Sequence, residues 1–185
     1  MKVSDVMIMA AVQLGIGDGV KGYVNGTNSL YKQQSELLLQ CFNLVENELA
    51  LDYIPLVKQE TLTVTDKKIY YEAFDSDVVR VIRVENEKGV ALPYKLFAAY
   101  MEVEADKDKA VVTYAYTPTP KTMTEESDFQ AFVSERLFSY GMAAEYCMAT
   151  GLYEEAVVWD KKYKEGIEGA RQLARGGKMA SRRWA

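Results

Sequence analysis

Between Pro55 and Pro118 the hydrophobic period of this chain changes from three-to-four to two, and after Pro120 it changes back. A segment with one period does not settle in the other's structure. The chain must therefore build helices from both ends and strands from its middle. At 185 residues, with 49% hydrophobic and 26% charged side chains, it is long enough to bury a core.

A first helix is predicted over about residues 4–15, capped by Ser4 or Asp5, with Val6, Met9, Ala10 and Leu14 at helical spacing. Its apolar content runs nearly all round, so burial on more than one side is expected. Asp5 and the lack of a small-residue cleavage site read against a signal peptide. The stretch "GIGDGVKGYVNG" follows. Five glycines in it predict a flexible connector over 15–26. Gly17 to Gly22 spell G-x-G-x-x-G, but a helix precedes them where a dinucleotide site needs a strand.

A second helix is predicted over about 28–53, striped by Leu30, Leu37, Leu38, Cys41, Phe42, Leu44, Val45 and Leu49 and stopped by Pro55. Then "ETLTVT", "KKIYYEAF", "VVRVIRVEN" and "AVVTYAYTP" read as strands, with "EKG" and "DKDK" as turns. Four to five antiparallel strands are expected between about 59 and 117. The "DKDK" acids lack the glycine and final bidentate acid of a calcium loop, so they read as a charged turn.

After "TPTPK", a third helix is predicted over about 124–150. Glu125, Glu126 and Asp128 stand in its first turn, Gly141 calls for a close helix approach, and Gly151 ends it. Its stripe is Phe129, Phe132, Val133, Leu137, Tyr140, Ala144, Cys147 and Met148. A fourth helix over about 152–175 pairs with it as a hairpin through Ala156, Trp159, Tyr163, Ile167, Ala170 and Leu173. The expected fold is α+β: a helical bundle of about four helices, an inserted antiparallel β sub-domain of four to five strands, and a C-terminal tail. In domain terms, that is one domain over 1–175 and a flexible tail over 176–185.

The chain contains no histidine, which removes imidazole bases, Ser–His and Cys–His nucleophile pairs and histidine metal sites. Cys41 and Cys147 have neither metal nor redox spacing and read as buried small hydrophobes. No catalytic, metal or cofactor residues are predicted, and the protein reads as a non-enzyme.

Charge is unevenly placed. Arg171, Arg175, Lys178, Arg182 and Arg183 occupy the last fifteen residues without an acid. All 27 acids lie before them, against 17 of the 22 basic side chains. Such asymmetry marks an interaction tail. Gly176 and Gly177 free it from the helix; Lys178, Arg182 and Arg183 suit acidic partners, and Trp184 suits an apolar pocket. These four are the candidate partner-binding residues. Three cations on an acidic chain are too few for specific nucleic-acid recognition.

Several segments carry a family resemblance: "YAYTP" at Tyr114–Pro118, the acids before the third helix, the hairpin "YGMAAEYCMATGLYEEAVVW", and "DSDVVRVIRVENEKG". Over about residues 28–170 the chain resembles the head–tail adaptor, or connector ring, proteins of tailed bacteriophages. The resemblance implies a structural virion protein of the neck, assembled in the host cytoplasm. It would form a homo-oligomeric ring, commonly of twelve subunits, under the portal protein. It would contact the next tail or neck ring and leave a channel through which DNA passes as cargo, with no membrane partner and no cofactor. C-terminal segments in such rings often reach onto the portal or a neighbouring subunit. The alternative is a cytosolic protein-binding module: "GLYEEA" with Tyr163 resembles one tetratricopeptide-type hairpin, although such solenoids need about three repeats.

Overall fold

The structure, a computed structural model, describes residues 1–104 and 108–174. It is mixed α+β. The chain separates into two compact units: one joins residues 1–48 to the segment after Thr119, and the other spans Leu49–Thr119. Each unit has its own secondary structure, as the change of period requires.

The helical unit contains α1 (Val3–Gln13), α2 (Gly17–Val24), α3 (Lys32–Glu48), α4 (Glu135–Thr150) and α5 (Tyr153–Ala174). Among the described residues five α-helices stand where about four were expected. α1 buries Val3, Val6, Met7, Ala10 and Ala11 and packs against α2, α3 and α4, so its apolar girdle is used on several sides. The added helix is α2, in the stretch expected to be a flexible connector. Its glycines serve packing. A Cβ on Gly19 would lie 2.4 Å from the Tyr31 ring, and one on Gly17 would lie 2.6 Å from Val12 Cγ2. Helix propensity is a weak prior, and tertiary contact overrides it here. No strand precedes the G-x-G-x-x-G; α1 does.

α3 begins at Lys32, four residues later than expected, because Asn28 Oδ1 accepts the Leu30 N–H in a local turn. Leu38, Cys41, Phe42 and Val45 are buried, whereas Leu30 and Leu44 are exposed. The helical path continues as one π-type turn, Leu49–Tyr53, and Pro55 follows it.

α4 begins at Glu135 and not near Thr124. Ser134 is its N-cap, its Oγ accepting the Leu137 N–H at 3.2 Å. The segment before it is irregular because side chains claim its backbone donors. Glu46 Oε1 accepts the Asp128 N–H at 2.9 Å and the Ser127 hydroxyl at 2.6 Å, and Ser127 Oγ accepts the Phe129 N–H. The acids Glu125, Glu126 and Asp128 therefore do not cap a helix. Phe129 and Val133 are buried as expected, but from this irregular segment. Phe132 and Met148, both assigned to the stripe, are exposed.

The α4–α5 hairpin forms as expected. Gly151 turns the chain at φ +81°, and Gly141 admits the neighbouring helices: a Cβ there would meet Tyr163 at 2.9 Å and Val45 at 3.0 Å. Gly169, by contrast, has nothing within 4 Å of its would-be Cβ. Gly169→Ala therefore raises thermal stability, by up to about 1 kcal/mol of helix propensity. Gly151→Ala lowers it by about 1–2 kcal/mol, since only glycine takes that left-handed conformation freely. Calorimetry on the two variants checks the pair of opposite signs.

Among its described residues the β unit holds six strands, more than the four to five expected: β1 (Leu56–Thr63), β2 (Lys68–Tyr70), β3 (Val78–Glu85), β4 (Tyr94–Leu96), β5 (Tyr100–Val103) and β6 (Lys109–Tyr116). They form two small antiparallel sheets, ordered β1-β6-β3 and β2-β5-β4. β1 and β6 pair without a slip from Leu56↔Tyr116 to Thr63↔Lys109. β3 is interrupted twice, between Val78 and Arg80 and between Val81 and Arg83. Such irregularities blunt an edge strand against unplanned pairing. One apolar core serves both sheets, with Val84, Val112 and Tyr114 from the first and Ile69, Met101 and Val103 from the second. Phe74 meets the Tyr114 ring edge-on at 4.8 Å. The expected "EKG" turn is present: Asn86 Oδ1 accepts the N–H groups of Lys88 and Val90, and Gly89 has φ +78°. Residues 105–107, which include Asp106 and Lys107 of the "DKDK" turn, lie outside the described residues.

Candidate interaction surfaces

The predicted anchor residues Lys178, Arg182, Arg183 and Trp184 all lie outside the described residues. Each unit offers a concave surface among its described residues.

The first is a groove of about 290 Å³ on the helical hairpin. Leu137 and Tyr140 of α4 form one wall, Gly166, Gly169 and Leu173 of α5 the other, and Phe132 stands at the mouth. At Gly169 α5 presents bare backbone, with nothing within 4 Å of a would-be Cβ, whereas Leu137 Cδ1 packs against Gly166, 2.6 Å from a Cβ built there. Phe132 is 57% exposed and held at φ +68°. A left-handed backbone costs a bulky residue about 1–3 kcal/mol, so the surrounding structure must hold Phe132 in place. Cations gather beside the groove. Arg136 donates to the Tyr140 hydroxyl and lies 5.4 Å from its ring centroid. Tyr140 stacks on Trp159 at 5.7 Å, and Lys162 sits 4.1 Å over the indole.

The second surface is a depression of about 490 Å³ in the β unit, lined among others by Tyr71, Asp77, Val79, Arg80 and Leu96. Val79, Ile82, Leu96 and Phe97 are exposed apolar side chains of the same unit. The sequence places Phe132, Leu137, Tyr140, Trp159 and Leu173 in helical stripes, not on a surface. The usable signal was the pair Gly166 and Gly169 on one helix, which opens its side to another chain or weakens it.

The buried ionisable groups do structural work. Glu46, 1% exposed, is held by Ser127 and Asp128, and Asn43 and Lys121 close the cluster. Asn43 Oδ1 accepts the Lys121 N–H at 2.7 Å and its Nδ2 donates to the Lys121 carbonyl. Lys121 Nζ pairs with Asp128 at 2.7 Å. Burial raises the Glu46 carboxyl above the ordinary glutamate range, against the opposing pull of the Ser127 and Asp128 hydrogen bonds and of Lys121. Burial also pushes the Cys41 thiol up to about 12, with Glu145 adding to it, and raises Cys147. Both thiols are protonated at neutral pH and weak nucleophiles. Among the described residues no three His, Cys, Asp or Glu side chains are gathered where a metal ion could sit. No helix among them is long and apolar enough to cross a membrane.

No protein-family model and no curated protein matches the chain.

Proposed function

We propose that the chain is a connector subunit of a tailed bacteriophage, a structural protein that joins copies of itself into a ring between portal and tail. The supporting observation is the architecture. Both ends of the chain build one helical unit, and residues 49–119 form a separate β unit inserted between them. Helices flanking a β insertion are part of what gives the chain its likeness to that family. Exposed apolar side chains on both units add support, since a subunit that assembles keeps such surfaces for its neighbours. DNA is passing cargo in this reading, and the site of action is the neck of the virion.

Within it, residues 176–185 attach the ring to the portal through Arg182, Arg183 and Trp184. One such tail binds weakly, and a ring of them multiplies the attachment. Deleting 176–185 is expected to leave the circular-dichroism spectrum and melting transition unchanged. It is expected to weaken capture by immobilised portal about a hundred-fold or more. Undiminished capture of the truncated chain contradicts the anchor. Absence of capture for the full-length chain contradicts the connector reading itself.

A further inference from the structure

The α4–α5 hairpin carries two unlike surfaces at its two ends. At the turn, Met148, Leu152, Tyr153 and Val157 are exposed, the last two at 63% and 69%. This end is acidic: from Leu137 to Trp159 the chain has Glu145, Glu154 and Glu155 and no lysine or arginine. At the open end lies the groove, apolar along its walls and flanked by Arg136 and Lys162. Further along, α5 has Lys161 beside Glu165, while Lys164 pairs with Asp160 at 2.6 Å and Arg171 with Glu168 at 3.3 Å, so Arg136 and Lys162 carry the positive character at the groove.

The two surfaces also face different ways. At about 100° per residue, Tyr153 and Val157 lie roughly 140–180° around α5 from Gly166 and Leu173. Neither surface complements itself. Acidic end against acidic end, or cationic end against cationic end, sets like charges together. Acidic knob against cationic groove satisfies both, and Gly169 leaves open space for an incoming side chain.

We infer that the knob at the α4–α5 turn of one copy docks in the Phe132–Tyr140–Gly169 groove of the next, making a heterologous head-to-tail junction between copies of this chain. Contacts of this kind close into rings when the rotation between copies permits. The inference rests on the ring reading and names the surfaces that would build it.

Two cysteine variants test it, Val157→Cys on the knob and Gly169→Cys in the groove. Both positions are exposed, while Cys41 and Cys147 are buried and stay silent toward a maleimide. With a short bis-maleimide linker, the mixed variants are expected to give a covalent dimer about ten-fold more readily than either variant alone. A chain bearing both cysteines should give a ladder of higher species. Self-linking of one variant as efficient as the mixture means a symmetric contact and overturns the proposal. No linking in any arm overturns it too. Linking through Gly169→Cys that emerges only once residues 175–185 are deleted assigns the groove to the chain's own tail, and also overturns it. The mass of the uncross-linked wild-type assembly separates the two levels. A ring without knob–groove linking leaves the connector reading intact and removes only this junction; a single copy at all concentrations removes both.

Discussion

Phe138→Ala is expected to cost the helical unit about 3–5 kcal/mol, the range for removing a fully buried phenylalanine. The ring is 0% exposed on α4. It stacks on Phe42 of α3 with centroids 5.0 Å apart and an interplanar angle of 15°, and it meets Phe129 at 5.9 Å and 64°. It therefore ties α4, α3 and the irregular segment ahead of α4 to one another. Alanine removes both ring contacts and leaves a void that surrounding helices fill only in part. Urea unfolding followed by far-ultraviolet circular dichroism reads the loss. A double-mutant cycle with Phe42→Ala should show a coupling of about 0.5–1.5 kcal/mol, the worth of an aromatic pair beyond its buried area. A loss under about 1 kcal/mol for Phe138→Ala would mean that this stack does not organise the core.

The second large effect is at Glu46. Glu46→Leu strands the Ser127 hydroxyl and the Asp128 N–H, both donors to Oε1. Each buried donor left unpaired costs about 1–3 kcal/mol, so a loss of about 2–5 kcal/mol is expected. Glu46→Gln keeps an acceptor oxygen and removes the charge. The pH dependence has a definite sign. Burial holds the folded carboxyl above its ordinary pKa. The folded chain thus keeps a proton that the unfolded chain has released. The group's contribution is complete below the ordinary glutamate pKa and declines as pH rises through the folded value. Glu46→Gln has no such decline. Its stability relative to wild type is expected to rise between about pH 4 and pH 8, and to match or exceed wild type at the upper end. Urea midpoints at the two ends decide the matter; a wild-type advantage that grows with pH would mean the buried carboxylate is stabilising as an ion.

Much of the architecture was legible before any coordinates. Pro55 and the Pro118–Pro120 pair marked where the period changes, and the two units divide at Leu49 and Thr119. Gly141 and Gly151 announced a close approach and a helix stop because each serves one backbone need, and both needs are met. Local composition failed where long-range contact decides. The glycines of α2 look like loop residues until Tyr31 and Val12 occupy the space beside them. The acids before α4 look like a helix cap, but Glu46, eighty residues earlier, takes the hydrogen bonds that a helix start would use. The hairpin at Asp66 and Lys67, both at positive φ, carries no glycine to betray it. The surfaces were the least legible part. A groove exists only where two helices pair, and Leu173 and Phe132 read as core until their neighbours prove to be small or absent.

The central claim is that this molecule works by the object it builds with its own copies. Sedimentation of the purified full-length chain over a wide concentration range, with electron microscopy of the same sample with and without portal, tests it most directly. The account predicts one closed species of fixed mass, seen as a ring with an open centre. A chain that stays single at every concentration, alone and with portal, would contradict it.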